Sequence, residues 1–226
     1  MIVAGIIIFM ILSYFLGSIP SGLLIGKIFK NIDIRQYGSK NMGATNAIRV
    51  LGFRYGVFAF VFDALKGALV MIILAIFQLT DLYLLSVNGI ILDITILYGM
   101  AAVLGHVFPI YINFKGGKAV ATSAGMVIAI EPFVALIAIT LFFAMFKKTR
   151  YVSLSSTTAA TIAVAMFVIR VPILVLTPLR VVFTKPGASL STYLLEMVVV
   201  IALAVLILIR HRKNYQRLRE GTEHRF

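Results

Sequence analysis

Of 226 residues, 61% are hydrophobic, and the formal net charge is +13. Soluble domains carry about 45–50% apolar residues, so the composition excludes an ordinary soluble enzyme and predicts an integral membrane protein. Neither Cys nor Trp occurs, which excludes thiol nucleophiles, disulfides and cysteine metal sites and leaves Tyr, Lys and Arg as interfacial anchors. The basic excess first suggests nucleic acid. In a membrane protein, the positive-inside rule and attraction to anionic lipid account for it. The basic residues also lack the interleaved aromatics of base-stacking surfaces. Membrane lipid, not nucleic acid, is the expected surrounding, and no sequence feature specifies an oligomeric state.

Against a minimum of roughly 20 residues for a crossing, apolar runs lie at about 2–28, 53–78, 84–111, 118–146, 151–173 and 190–209. The first lacks the basic n-region and small-residue cleavage site of a signal peptide and is read as a retained span. Lys30, Arg35, Lys40, Arg49 and Arg54 follow it. No cation occurs in Gln78-Leu79-Thr80-Asp81. Lys115 and Lys118 follow the third run, and Lys147, Lys148 and Arg150 the fourth. The tail carries Arg210, Arg212, Lys213, Arg217, Arg219 and Arg225. Simple crossings would put the 147–150 cluster and the tail outside, against the charge bias.

A break at Glu131-Pro132 repairs the parity, since proline ends or opens a helix and glutamate is costly in hydrocarbon. Unbroken, the 118–146 run would be roughly 43 Å long against a core of about 30 Å. The expected fold is therefore all-α. A single domain over 1–226 forms a bundle of seven membrane helices, N-terminus outside and C-terminus cytoplasmic. A short helix ends near Ile130, and another returns to Phe146. Arg170, Arg180 and Lys185 are an exception to the charge bias. One long helix kinked at Pro132 is the alternative.

Polar clusters then fall on one side. The first, Gly38-Ser39-Lys40-Asn41-Met42-Gly43-Ala44-Thr45-Asn46 with Arg49, offers flexible backbone, hydroxyls, amides and cations, the tools for an oxyanion or polyol phosphate. An ordinary capped surface loop is its bland reading. On the next span, Asp63 and Lys66 are spaced to pair, whereas Asp93 has no evident partner. The second cluster is Gly105-His106-Val107-Phe108-Pro109, then Phe114-Lys115-Gly116-Gly117-Lys118 at the mouth of an apolar segment. Backbone amides, a helix N-terminus and ammonium groups favour an anion there. Ala119 stands where a P-loop needs Ser or Thr, so nucleotide hydrolysis is not indicated. His106 reads equally as a packing histidine. In the third cluster, His211, Asn214 and Arg217 share a broad helical face, and a lipid-facing basic tail does not call for His211 or Asn214.

Six motifs in order carry a resemblance over nearly the whole chain. They are Gly17-Ser18-Ile19-Pro20-Ser21-Gly22, the 38–46 loop with Arg49, Asp63-x-x-Lys66-Gly67, Gly105-His106-x-Phe108-Pro109, Phe114–Lys118 with Val120-Ala121-Thr122, and Arg210-His211-x-x-Asn214-x-x-Arg217. The chain resembles the bacterial acyl-phosphate:glycerol-3-phosphate acyltransferases of the PlsY type. That family has seven membrane helices and a site opening to the cytoplasm of the bacterial cell membrane. It transfers a fatty acyl group from acyl phosphate to the sn-1 hydroxyl of glycerol 3-phosphate, giving lysophosphatidic acid and phosphate, the first acylation of phospholipid synthesis. The resemblance implies roles for Ser39, Arg49, Lys115, Lys118, His211, Asn214 and Arg217. Lys40 and Ala119 stand where the family commonly has Gly.

In the expected mechanism, Lys115 and Lys118 with the Gly116 and Gly117 amides hold one phosphoryl group. Arg49 with Ser39 and Asn46 holds the other, and His211, Asn214 and Arg217 close the site. Ser39, Lys118, His211 and Asn214 are the expected catalytic residues. None of His106, His211 or His224 is followed by Asp five residues on, so the His-x4-Asp arrangement of other glycerolipid acyltransferases is absent. A substrate phosphate or His211 is left as base. No cofactor is required, and no carboxylate–histidine spacing calls for a metal. A transporter or channel for an organic phosphate is the rival, predicting an internal repeat and a midplane site.

Overall fold

A computed structural model describes residues 2–176 and 188–226. Its helices are α1 (Ile2–Ser18), α2 (Ser21–Lys30), α3 (Ala44–Leu51), α4 (Phe53–Ile76), α5 (Thr95–Val107), α6 (Val120–Ile130), α7 (Pro132–Thr149), α8 (Val152–Leu176), α9 (Leu190–Arg210) and α10 (Arg212–Arg219). A hairpin of β1 (Leu84–Val87) and β2 (Ile90–Asp93) precedes α5. By length and composition, α4, α5 with its continuation to Ile112, α7, α8 and α9 are long and apolar enough to cross a membrane. The pair α1–α2, bent by 45°, forms a further candidate span. Bulky apolar side chains such as Phe58, Phe62 and Leu65 face outward on α4, as lipid contact requires.

The break expected at Glu131-Pro132 is present. Helix α6 ends at Ile130, and Pro132 opens α7 at a position where its missing N–H costs nothing. The halves take different neighbours, α6 against α4 and α5, α7 against α8. Arg170 on α8 pairs with Glu131 at this break (2.7 Å) and with Glu196 of α9 (3.2 Å), and its guanidinium lies 4.1 Å from the Tyr193 ring centre. Arg180 and Lys185 lie outside the described residues.

The third run departs from expectation. It was expected to cross as one segment over 84–111, but its first ten residues form the hairpin. Asn88 and Gly89 adopt positive φ (50° and 78°), the geometry of a tight two-residue turn, and Val87 pairs with Ile90 across it. Hydropathy counts this run as lipid-compatible, but the Asn-Gly turn decides the local structure. Asp93 thereby gains partners. Its carboxylate accepts from the Thr95 amide (2.8 Å) and the Thr95 hydroxyl at the start of α5, and its own amide donates to Thr192 Oγ1 (3.0 Å).

Glycines set how closely the helices cross. A Cβ on Gly17 of α1 would come within 2.1 Å of the Ala102 carbonyl of α5, and one on Gly105 of α5 within 2.2 Å of the Tyr14 carbonyl of α1. The α4–α6 crossing repeats the arrangement, with Gly67 at 2.0 Å from the Thr122 carbonyl and Gly125 at 1.9 Å from the Ala64 carbonyl. Backbones in such contact gain dispersion energy where lipid gives no hydrophobic drive. The second crossing fixes α6, and with it the Lys-Gly-Gly-Lys loop leading into it. Replacing Gly125 by Leu should separate α4 from α6 at a cost of about 1–3 kcal/mol or more, seen as a lower thermal midpoint in detergent; an unchanged midpoint would contradict the crossing.

Candidate functional site

The loop before α3 is organised by one amide. Asn46 is 1% exposed. Its Oδ1 accepts from the Ser39 amide (2.9 Å), and its Nδ2 donates to the carbonyls of Ile34 (2.8 Å), Tyr37 (3.2 Å) and Asn41 (2.8 Å). Expected as a phosphate contact, Asn46 spends both ends of its amide holding the loop. Ser39 is half-buried, and its hydroxyl makes no hydrogen bond among the described residues. One turn further on, Arg49 donates to the His224 carbonyl (3.2 Å) and stacks 4.4 Å from the Phe226 ring centre.

The Lys-Gly-Gly-Lys loop differs from expectation in its backbone. The Gly116 amide donates to Val107 O (3.2 Å) and the Gly117 amide to His106 O (3.1 Å), so both amides are tied to the end of α5. Their carbonyls face the other way and accept from the guanidinium of Arg210, at 2.7 Å for Gly116 and 3.2 Å for Gly117. The loop therefore presents side chains to an anion rather than its glycine amides. Lys115 is exposed; Lys118 is half-buried and donates to Asn214 Oδ1 at 2.6 Å.

Asn214 sits in the first turn of α10, and its Nδ2 donates to Glu223 Oε1 (2.7 Å). Gly221, at φ +69°, turns the chain back so that Glu223 reaches this position. Glu223 also accepts from Ser153 Oγ at the start of α8 (3.0 Å) and from Arg217 Nε (2.8 Å). Burial pushes the Glu223 carboxyl up, but the donors Asn214, Arg217 and Ser153 outweigh this and hold it below the usual carboxylate range. Glu223, Ser153 and Arg210 are not among the site residues expected from the sequence. A carboxylate two residues past a glycine, after a basic helix in an acid-poor chain, was the available signal for Glu223.

His211 links α9 to α10 and is 2% exposed. Its Nδ1 lies 2.8 Å from the Ile207 carbonyl, which only accepts, so Nδ1 carries the proton and Nε2 keeps its lone pair. Burial, then the charge of Lys118, lowers its pKa to about 4. Burial also lowers the Lys118 pKa to about 8; Glu223 opposes this, while Arg217, Arg49 and Arg210 reinforce it. Cations from three distant segments thus surround one carboxylate, and the cluster carries net positive charge suited to a dianion.

The family model described as glycerol-3-phosphate acyltransferase matches residues 7–221. The chain belongs to the glycerol-3-phosphate acyltransferase family. Among curated relatives, the glycerol-3-phosphate acyltransferase of Acholeplasma laidlawii is 43% identical, over 97% of this chain and 92% of that protein. The one from Macrococcus caseolyticus is 39% identical, over 96% and 95%. The crystal structure of PlsY, an integral membrane glycerol 3-phosphate acyltransferase, in its glycerol 3-phosphate form superposes with a TM-score of 0.75 at 36% identity, covering 98% of this chain and 96% of that one. Its lysophosphatidic acid form gives a TM-score of 0.73 at 35% identity. The chain is an integral membrane acyltransferase.

Two non-glycine residues beside the site fall where backbone conformation matters. Lys40 (φ +56°) and Ala119 (φ +60°) adopt the left-handed region, which costs a residue with a Cβ about 1–2 kcal/mol. Ala119→Gly should therefore raise stability by about 1 kcal/mol, read as a higher thermal midpoint; a lower midpoint would contradict the backbone assignment. Acyltransferase activity should fall as pH rises through about 8, where Lys118 loses its proton. In Lys118→Arg, whose guanidinium stays charged, the residual activity should lose this alkaline limb; retention of the limb would assign it to another group.

Proposed function

We propose that this chain transfers a fatty acyl group from acyl phosphate to the sn-1 hydroxyl of glycerol 3-phosphate, releasing lysophosphatidic acid and inorganic phosphate. One observation carries the reading: Arg49, Lys118 and Arg217, from three distant segments, converge around Asn214 and Glu223. Both substrates carry phosphate, so the site must neutralise more negative charge than one lysine can. The sn-1 oxygen attacks the acyl carbonyl carbon, a C–O bond forms, and the bond from that carbon to the phosphate oxygen breaks. Charge builds on the carbonyl oxygen and the leaving phosphate, where fixed donors lower the barrier.

Lys118, with Lys115 and Arg217, neutralises one phosphoryl group, and Arg49 with Ser39 holds the other. Asn214 positions the Lys118 ammonium. Asn46 and the Gly116-Gly117 pair serve by shaping the loops that present these groups. A His211 pKa of about 4 leaves the ring neutral but makes it a weak base near neutral pH. A substrate phosphate then takes the hydroxyl proton, and His211 Nε2 orients the hydroxyl. Residues 1–226 act as one domain in a bacterial cytoplasmic membrane, with N-terminus outside and the site facing the cytoplasm. The distribution of basic residues and the helix break at Glu131 support seven membrane segments, α6 being the short one.

Purified protein given acyl phosphate and glycerol 3-phosphate should release phosphate and form lysophosphatidic acid. Lys118→Ala and Asn214→Ala should each lower the rate by about 10²–10³. Full activity in both variants would remove the site assignment. Uptake of glycerol 3-phosphate into vesicles without phosphate release would favour a transporter instead.

A further inference from the structure

Beneath the loop lies a buried polar group that the proposed reaction does not use. Asp63 and Lys66 on α4 and His106 on α5 are 1%, 6% and 3% exposed. Lys66 Nζ pairs with Asp63 Oδ1 at 2.9 Å and donates to the Ile19 carbonyl (2.8 Å) in the break between α1 and α2. Asp63 Oδ1 also lies 3.6 Å from His106 Nδ1. On its other edge the imidazole meets the loop, and a Cβ placed on Gly117 would come within 2.1 Å of His106 Nε2. The main chain completes the join, since His106 O accepts the Gly117 amide and Val107 O the Gly116 amide.

We propose that His106 is a positioning residue: Asp63 orients its imidazole, and the ring bears on Gly117 to set where the next residue, Lys118, presents its ammonium. Both ring nitrogens face protein groups, a carboxylate beside one and Gly117 against the other, so the imidazole acts through the loop and not on substrate. A chain of contacts runs from the Ile19 carbonyl through Lys66, Asp63, His106 and Gly117 to Lys118 and Asn214. It links the bend of the first span to the reacting groups. Misplacement of a reacting group by about 1 Å can cost on the order of 10²-fold in rate. The inference rests on the acyl transfer proposed above for its rate readout, but not for its geometry.

A double-mutant cycle on Gly117→Ala and His106→Ala tests it, with release of phosphate from acyl phosphate plus glycerol 3-phosphate as the readout. Gly117→Ala alone should lower kcat/KM by on the order of 10²-fold, because the new methyl displaces the loop from the imidazole. With the imidazole removed, the same substitution should cost less than about tenfold, the non-additivity expected of groups in contact. Equal costs in the two backgrounds would overturn the proposal. Should His106→Ala fail to elute as folded protein, His106→Asn takes its place.

The pH profile of His106→Asn separates positioning from other roles. Lys118 is faced by Glu223, Arg217, Arg49, Arg210 and His211, and a loop that shifts away from them frees its ammonium to water. The alkaline limb near pH 8 should then move upward. An unmoved alkaline limb would leave His106 a packing residue and overturn the proposal. If wild-type protein releases no phosphate, the proposed function fails. The cycle is then read from thermal midpoints, where the same non-additivity supports the geometry and additive costs overturn it.

Discussion

Several cations can be held together in a low-dielectric site only if something offsets their repulsion, and here that group is the Glu223 carboxylate. It accepts from Ser153, Asn214 and Arg217 at once, drawing together the start of α8, the short α10 and the last turn of the chain. Asn214 passes the connection to Lys118 through the opposite end of its amide. Arg49 is held from the same tail, by the His224 carbonyl and the Phe226 ring. The tail is thus part of the site's architecture. A tail shed into solvent as a basic lipid anchor would leave Lys118 and Arg49 without these contacts.

Much of this organisation was legible in the residues, and the failures have particular causes. Glu131-Pro132 announced a helix break because proline and a carboxylate inside an apolar run conflict with an unbroken span, and the break lies there. The 84–93 segment was misjudged because hydropathy weighs each residue alone, whereas Asn88-Gly89 sets a turn from local backbone geometry. Asp63 and Lys66 pair as their spacing indicated. Arg210, which resembled an ordinary juxtamembrane cation, instead takes two loop carbonyls from a segment more than ninety residues earlier. Its partners are main-chain atoms, and residue patterning gives no sign of them.

The glycines show where reading by residue type is weakest. Gly116 and Gly117 suggested amides free to grip an anion, yet those amides are bonded to the end of α5, and the missing side chains serve close packing against His106. Gly67 and Gly125 do the same between α4 and α6. Small residues in a membrane bundle first permit backbones to approach. Whether an amide is left over for a ligand depends on which carbonyls that approach brings near, a property of the tertiary fold alone.

With the amides committed, an anion at this face would be met by ammonium and guanidinium groups on side chains. Backbone donors hold one geometry, whereas the Lys118 ammonium can turn its three protons and shift along a flexible stem. The proposed acyl transfer between two phosphate-bearing molecules would build charge on the leaving phosphate, which an ammonium held in place by Asn214 can meet. Rigidity is supplied one layer below, by the buried contacts among α1, α4 and α5 and by the glycine crossings that seat α6. Polar side chains in the membrane core carry a high desolvation cost, and the Asp63–Lys66 ion pair offsets part of it within the bundle. Its position under the loop, rather than anywhere along α4, makes that cost useful to the site.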